Sequence, residues 1–176
     1  MKKFVILFTI FCIITISSGF IWSFLVKQEI IVLSREVIFA KYDRINPTLS
    51  EEELKELDEN SGDYNRNGTI YVPGSLTECF TELEKRLSPD DIEKIKSEKE
   101  EDLYKYHTGL GLWIRNAWLR GDTYKLSKIF LNMGIRHIDD MSGFIIKGFY
   151  HYLNEEDFDE EEYIYQYKKR IVLASY

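Results

Sequence analysis

The stretch Tyr106-His107-Thr108-Gly109-Leu110-Gly111-Leu112-Trp113-Ile114-Arg115-Asn116-Ala117-Trp118 decides how this chain is read. It gathers two Trp, a His, an Arg, an Asn and two Gly, a denser set of costly residues than any other segment carries. From Leu110 onward, Leu110, Trp113 and Ala117 fall at the i, i+3, i+7 spacing of a buried helix face. Gly109 and Gly111 lack a Cβ and suit a helix start or a close backbone approach. Arg115 and Asn116 fall beside the edge of that face. Two readings follow. In one, the stretch is a core helix and Arg115 is held in a structural ion pair, with Asp139 or Asp140 as its partner. In the other, it is a pocket wall, with Trp113 and Trp118 as an aromatic surface and Arg115 aimed at an anionic ligand. The structural pair is the expectation, because supporting ion pairs are common.

Outward from this stretch the pattern is helical. Ser75-Leu-Thr-Glu78 is a capping box, and Leu76, Cys79, Phe80, Leu83 and Leu87 trace one face behind it. Ser88-Pro89-Asp90-Asp91 combines a cap, a first-turn Pro and acids at the positive end of a helix dipole. A further helix is predicted from about Thr123 to Asn132, stopped by Gly134. The next starts at Asp139 or Asp140 and buries Met141, Phe144, Ile145, Gly148, Phe149 and Leu153. Gly143 and Gly148 weaken that helix, so close packing is expected to explain them. Residues 154–162 read as a solvated acidic connection, and Tyr163 to Leu173 as a final helix. The fold class is therefore mainly all-α, a small helical domain behind an N-terminal membrane helix or signal segment.

That N-terminal segment begins Met1-Lys-Lys and continues uncharged from Phe4 through Val26. A run of this length spans a bilayer as a helix, which needs roughly 20 apolar residues. Lys2 and Lys3 predict a cytoplasmic N-terminus with the rest of the chain outside. The alternative is a signal peptide cut after Ser17-Ser18-Gly19, leaving a secreted or periplasmic product. Phe20 to Val26 prolongs the apolar run past that cut, which favours the retained anchor. Residues 27–71 read as a stalk. Within it the β-branched content of Ile30–Leu33 and Val37–Phe39 favours strand, although the same residues could prolong the membrane helix. Ser50-Glu-Glu-Glu53 is a capping box for a short acidic helix reaching about Leu57. The organisation is thus residues 1–26 as anchor or signal, 27–71 as stalk, 72–153 as a helical domain and 154–176 as acidic connection and last helix.

Two motifs carry a resemblance. Tyr106-His107 with Gly109 to Trp118, followed by Met133-Gly-Ile-Arg-His-Ile-Asp-Asp-Met-Ser-Gly-Phe-Ile-Ile146, resembles a small bacterial family known only as a domain of unknown function. The likeness covers roughly Val72 to Leu153, and the two motifs occur in the family's order. The family carries a Pro after the His of its second motif, where this chain has Ile138. The resemblance implies a fold and brings no activity with it.

Composition excludes several classes. The net charge of −7 and the lack of a basic stripe argue against a nucleic-acid partner. Two Cys, one in the apolar run and one on a helix face, argue against an intrachain disulfide, and Cys79 reads as a small core residue. The three His form no zinc-protease pattern. His151 and Glu155 read as a surface pair at i, i+4. One polar constellation remains as an enzyme candidate: His107, Arg115, Asn116, His137 and Asp139 or Asp140, with a His as acid–base and Arg115 holding an anion. The competing reading is a buried polar cluster that fixes helix order. Asp63, Asn65 and Asn67 occupy the first ligand positions of a calcium loop, but the twelfth position, which needs a Glu, is Gly74. No metal or cofactor is expected from these patterns. The function expected is a non-catalytic protein-interaction module at the outer membrane face, with membrane contact through residues 4–26 and a protein partner. A small envelope enzyme and a calcium-responsive stalk are the alternatives. The aromatic content of 15% supports the first, since aromatic side chains are enriched in interfaces.

Overall fold

The structure, a computed structural model, describes residues 35–47, 49–53, 55, 64–65, 68–120 and 125–175. The proposed anchor or signal at 1–26 lies outside the described residues, as do 27–34 of the stalk. Among the described residues no helix is long and apolar enough to cross a membrane. The described chain is mainly helical, and its β content is a lone antiparallel bridge between Tyr64 and Tyr71.

Helix α1 covers residues 35–45. After a helical turn described at residues 51–53 and 55 come α2 (Leu76–Arg86), α3 (Pro89–Ser97) and a 3-10 segment (Glu100–Tyr106). Next come α4 (Leu110–Ile114), a π-helical turn (Arg115–Leu119), α5 (Lys125–Asn132), α6 (Ile138–Leu153) and α7 (Glu160–Ala174). The caps are those the side chains dictate. The Ser75 hydroxyl accepts from the Glu78 N–H and starts α2, and the Ser88 hydroxyl accepts from the Asp91 N–H and starts α3. Gly134 ends α5 at φ +83, with its own N–H donating to Leu131 and the Ile135 N–H donating to Phe130. Those two bonds form a Schellman motif, and its left-handed residue is the Gly. Asp159 caps α7, so the final helix begins at Glu160 and the acidic connection is shorter than expected.

Helix α6 is the axis of the fold. Met141, Phe144, Ile145, Ile146 and Phe149 are all buried on it. It packs against α2, α3, α4, the 3-10 segment and the π turn. The Phe144 ring meets Phe130, Phe158 and Tyr163 edge-on, at 5.6, 5.0 and 4.9 Å between centroids. Gly148 permits the α2 approach: a Cβ there would lie 2.8 Å from Cζ of Phe80. Gly143 has no such constraint, because a Cβ would meet only the Tyr163 hydroxyl at an ordinary 3.5 Å.

The strand expectation for Val37–Phe39 is not met, since these residues lie in α1. Nor does this part of the stalk stand apart. Tyr42 is 1% exposed and its hydroxyl donates to the Gly134 carbonyl. Arg35 pairs with Glu162, Phe39 meets Tyr165 edge-on at 6.1 Å, and Tyr42 meets Tyr167 at 6.0 Å. These contacts advance together along both helices, so α1 lies parallel to α7. Burial of aromatic area overrides β propensity here, as packing generally does. At 50–53 the capping box forms as read, with Glu53 accepting from the Ser50 N–H at 2.7 Å and the Ser50 hydroxyl accepting from the Glu53 N–H at 3.2 Å.

Candidate functional site

The two motifs meet at Arg115. The π turn begins there, marked by the Arg120 N–H donating to the Arg115 carbonyl at 2.8 Å. The widened turn leaves Arg115 on the inner side, 5% exposed. Its Nη1 donates to the Ser142 hydroxyl at 2.9 Å and its Nη2 to the His107 carbonyl at 3.2 Å. Nε lies 2.8 Å from Oδ1 of Asp139 as a charge contact, without the alignment of a hydrogen bond. The Ser142 hydroxyl in turn donates to the Asp139 carbonyl at 2.8 Å. His137 caps α6, with Nδ1 accepting from the Asp139 N–H at 3.2 Å. Ile138 therefore stands at the first helical position, where a Pro would lose no helical hydrogen bond.

Gly111 completes the arrangement. A Cβ there would stand 3.1 Å from Nη1 of Arg115 and 3.4 Å from Cδ1 of Ile146. The space that a side chain would fill is taken by the guanidinium. Sequence reading gave Gly111 only a backbone role and left out Ser142. The signals were the four-residue step from Gly111 to Arg115 and the three-residue step from Asp139 to Ser142.

The rest of the constellation disperses. His107 contributes its carbonyl, while the residue itself is exposed. Asn116 is exposed and accepts from Arg120 at 3.0 Å. Asp140 pairs with Arg170 of α7. His137, with 66% of its side chain exposed, stays within 3.5 Å of Asp139. So Arg115, Asp139 and His137 are brought together, and the side chains of His107, Asn116 and Asp140 are not. His151 is 14% exposed, stacks on Phe158 at 5.3 Å, and lies between Glu156 at 3.2 Å and Glu100 at 3.7 Å. Its neighbour is Glu156 rather than Glu155, because Glu155 adopts φ 56 and turns the chain. Glu100 is held below the usual carboxylate range, chiefly by its hydrogen bond from Lys147.

The aromatic pair divides. Trp118 is fully buried and donates its indole N–H to the Tyr71 carbonyl at 3.1 Å, which corrects its placement on an aromatic surface. Gly111, Ile114, Arg115, Ala117, Trp118 and Leu119 are buried, so of the stripe read in the sequence Ala117 is enclosed while Leu110 and Trp113 are half-buried. Trp113 is half-buried, edge-on to Trp118 at 5.2 Å, with Arg86 over its ring at 5.6 Å. It walls an open groove of about 570 Å³ with Leu83, Leu87, Ile95, Tyr106 and Leu110. Cys79 is fully buried, and burial raises its thiol well above the ordinary range, as suits a core residue.

Of the calcium candidates, Asp63 and Asn67 lie outside the described residues. Asn65 directs its side-chain oxygen to the N–H groups of Thr69 and Ile70, both at 3.0 Å, and so organises the turn at Gly68. Among the described residues no group of three or more His, Cys, Asp or Glu is placed to hold a metal ion.

Residues 72–153 match the family model of a domain of unknown function (DUF6794). Both halves of the Arg115 clasp, and the groove beside it, fall within that range. No match was found among curated proteins or among solved structures.

Proposed function

We propose that the chain is a non-catalytic protein-interaction module held at the outer face of a bacterial membrane through residues 4–26. The observation that carries the interaction reading is the groove at Trp113. At about 570 Å³ it is within the size range of binding clefts, its lining is mainly apolar, and Arg86 and Trp113 are part of that lining. Trp and Arg are the residues that most often dominate binding energy at interfaces. The non-catalytic reading is supported by the burial of Arg115 and by its internal partners, the Ser142 hydroxyl, the His107 carbonyl and the Asp139 carboxylate. The membrane placement rests on the charge and length of the N-terminal run alone.

Two measurements test this. Carbonate extraction of membranes should leave the full-length chain in the pellet, and a shortened soluble product beginning near Phe20 would replace the anchor by a cleaved signal. A photo-crosslinking residue at Leu112, 42% exposed and next to Trp113 in the chain, should give a discrete adduct in intact membranes. Repeated absence of any discrete adduct would remove the interaction reading.

A further inference from the structure

We infer that the groove between α2, α3 and α4 takes a peptide segment of a partner protein that presents a large apolar side chain beside a single carboxylate. This rests on the interaction-module reading and specifies the chemistry of the partner.

The apolar requirement comes from the walls. Leu83 and Ile95 are fully buried, while Leu87, Leu110, Tyr106 and Trp113 are half-buried and still have area to cover. Burying apolar area is worth roughly 25 cal/mol per Å², so a partner side chain seated there gains on both sides of the contact. The Trp113 ring is already oriented in the free protein. Trp118, itself fully buried, meets it edge-on, and Arg86 stands over its face. A wall held in place beforehand loses little side-chain entropy when a partner arrives. At the mouth, Gly109 has nothing within 4 Å of the place a Cβ would occupy, so a partner backbone can approach closely.

The carboxylate requirement comes from the rim, where two charged residues stand. Asp91 is answered within the protein: it accepts from the Ser88 hydroxyl at 2.8 Å and from Lys94 at 3.2 Å. Arg86 is engaged more loosely: its face lies over the Trp113 ring, it reaches Glu82 at 3.4 Å, and Glu82 is held more closely by Lys85 at 2.8 Å. A guanidinium fork with most of its donors free matches a carboxylate in two-point geometry. The net charge of −7 sets the limit on how acidic the partner can be. A long acidic run or an anionic lipid surface meets general repulsion, whereas one carboxylate beside an apolar anchor gains Arg86 and the groove together.

The test selects a random linear peptide library displayed on phage against the full-length chain in nanodiscs. Enriched peptides should carry Phe, Trp or Leu next to Asp or Glu. A fluorescein-labelled peptide from that pool should lose about tenfold in affinity or more to Arg86→Glu, as expected for a charge-assisted pair. Arg86 is exposed, and a circular-dichroism melt of the variant should show the helical fold retained. Selection against the Arg86→Glu protein should replace the acidic flank by Lys or Arg. Trp113→Ala should abolish binding and Trp113→Phe should retain part of it. Enriched peptides without a carboxylate, or binding indifferent to Arg86→Glu, would overturn the partner chemistry. Binding indifferent to every groove variant would overturn the location. Concentration-dependent self-association lost in Arg86→Glu would assign the groove to a second copy of the chain and overturn the peptide. A Leu112 adduct in membranes with no enriched peptide would sink this inference while leaving the interaction reading in place.

Discussion

Replacing Arg115 by Met isolates the clasp that joins the two motifs. Met keeps much of the length and apolar volume of Arg, so the cavity term is small. What is lost is polar. The His107 carbonyl loses its donor at 3.2 Å, which costs about 1–3 kcal/mol where that oxygen stays enclosed. The Ser142 hydroxyl keeps its bond to the Asp139 carbonyl, so it gives up an incoming donor without being orphaned. The contact with Asp139 lies between two limits, because Arg115 is 6% exposed at its side chain and Asp139 is 40% exposed. Breaking a pair costs about 3–5 kcal/mol when both charges are buried, and an exposed pair contributes about 0–1, so about 1–2 is expected here. The total is about 3 kcal/mol. For a domain of this size each kcal/mol moves the melting temperature by about 2–4 °C, so a drop of about 10 °C is expected in calorimetry. Arg115→Lys should recover less than half of it, because one ammonium cannot serve three acceptors on different sides. Asp139→Asn should cost about 1 kcal/mol, and the double variant should be less destabilised than the two changes added. A drop below about 3 °C in Arg115→Met would refute the structural role and make this guanidinium a candidate for an anion.

Four further outcomes follow from the geometry. Trp118→Ala should cost about 3–5 kcal/mol in chemical denaturation and Trp113→Ala clearly less, and a reversed order would contradict the placement of the two rings. Tyr42→Ala should cost about 3 kcal/mol, and no loss would mean that residues 35–47 are a stalk after all. Burial pushes the Tyr163 hydroxyl up to about 12, so the fold favours its neutral form. That contribution is complete below the unfolded value near 10 and is lost as pH rises towards about 12, so Tyr163→Phe should resist alkaline unfolding better than the native chain. Glu155→Gly should raise stability by about 1 kcal/mol, since Glu155 holds φ 56 at the end of α6, where Gly carries no Cβ penalty.

Local chemistry was legible from residue order. Ser75, Ser88 and Ser50 announced their helix starts, and Gly134 announced the end of α5. The buried side of α6 was readable too, from Met141 to Leu153. These features depend on bonds within a few residues, so no distant partner is needed to set them. The phase of the central stripe was harder. Ala117 was read correctly, but Leu110 and Trp113 are half-buried, and the face enclosed instead at that end, Gly111, Ile114 and Arg115, includes a Gly and an Arg, which no apolar pattern selects.

By itself, then, the residue order determined a mainly helical chain, most of its caps, and the neighbourhood of Arg115 and Asp139 as the place to look. Tertiary structure alone decided which Trp is enclosed, why Gly111 and Gly148 are Gly, and that α1 belongs to the fold. The physical reason is common to all three. A Cβ at Gly111 is excluded by a side chain four residues on and by Ile146 of another helix. A Cβ at Gly148 is excluded by Phe80 of α2. Tyr42 is buried by Gly134 and Tyr167, both far away in the chain. Contacts between distant segments exist only once the chain has packed, and β-branched or glycine-rich sequences carry no local mark of the neighbour that will meet them.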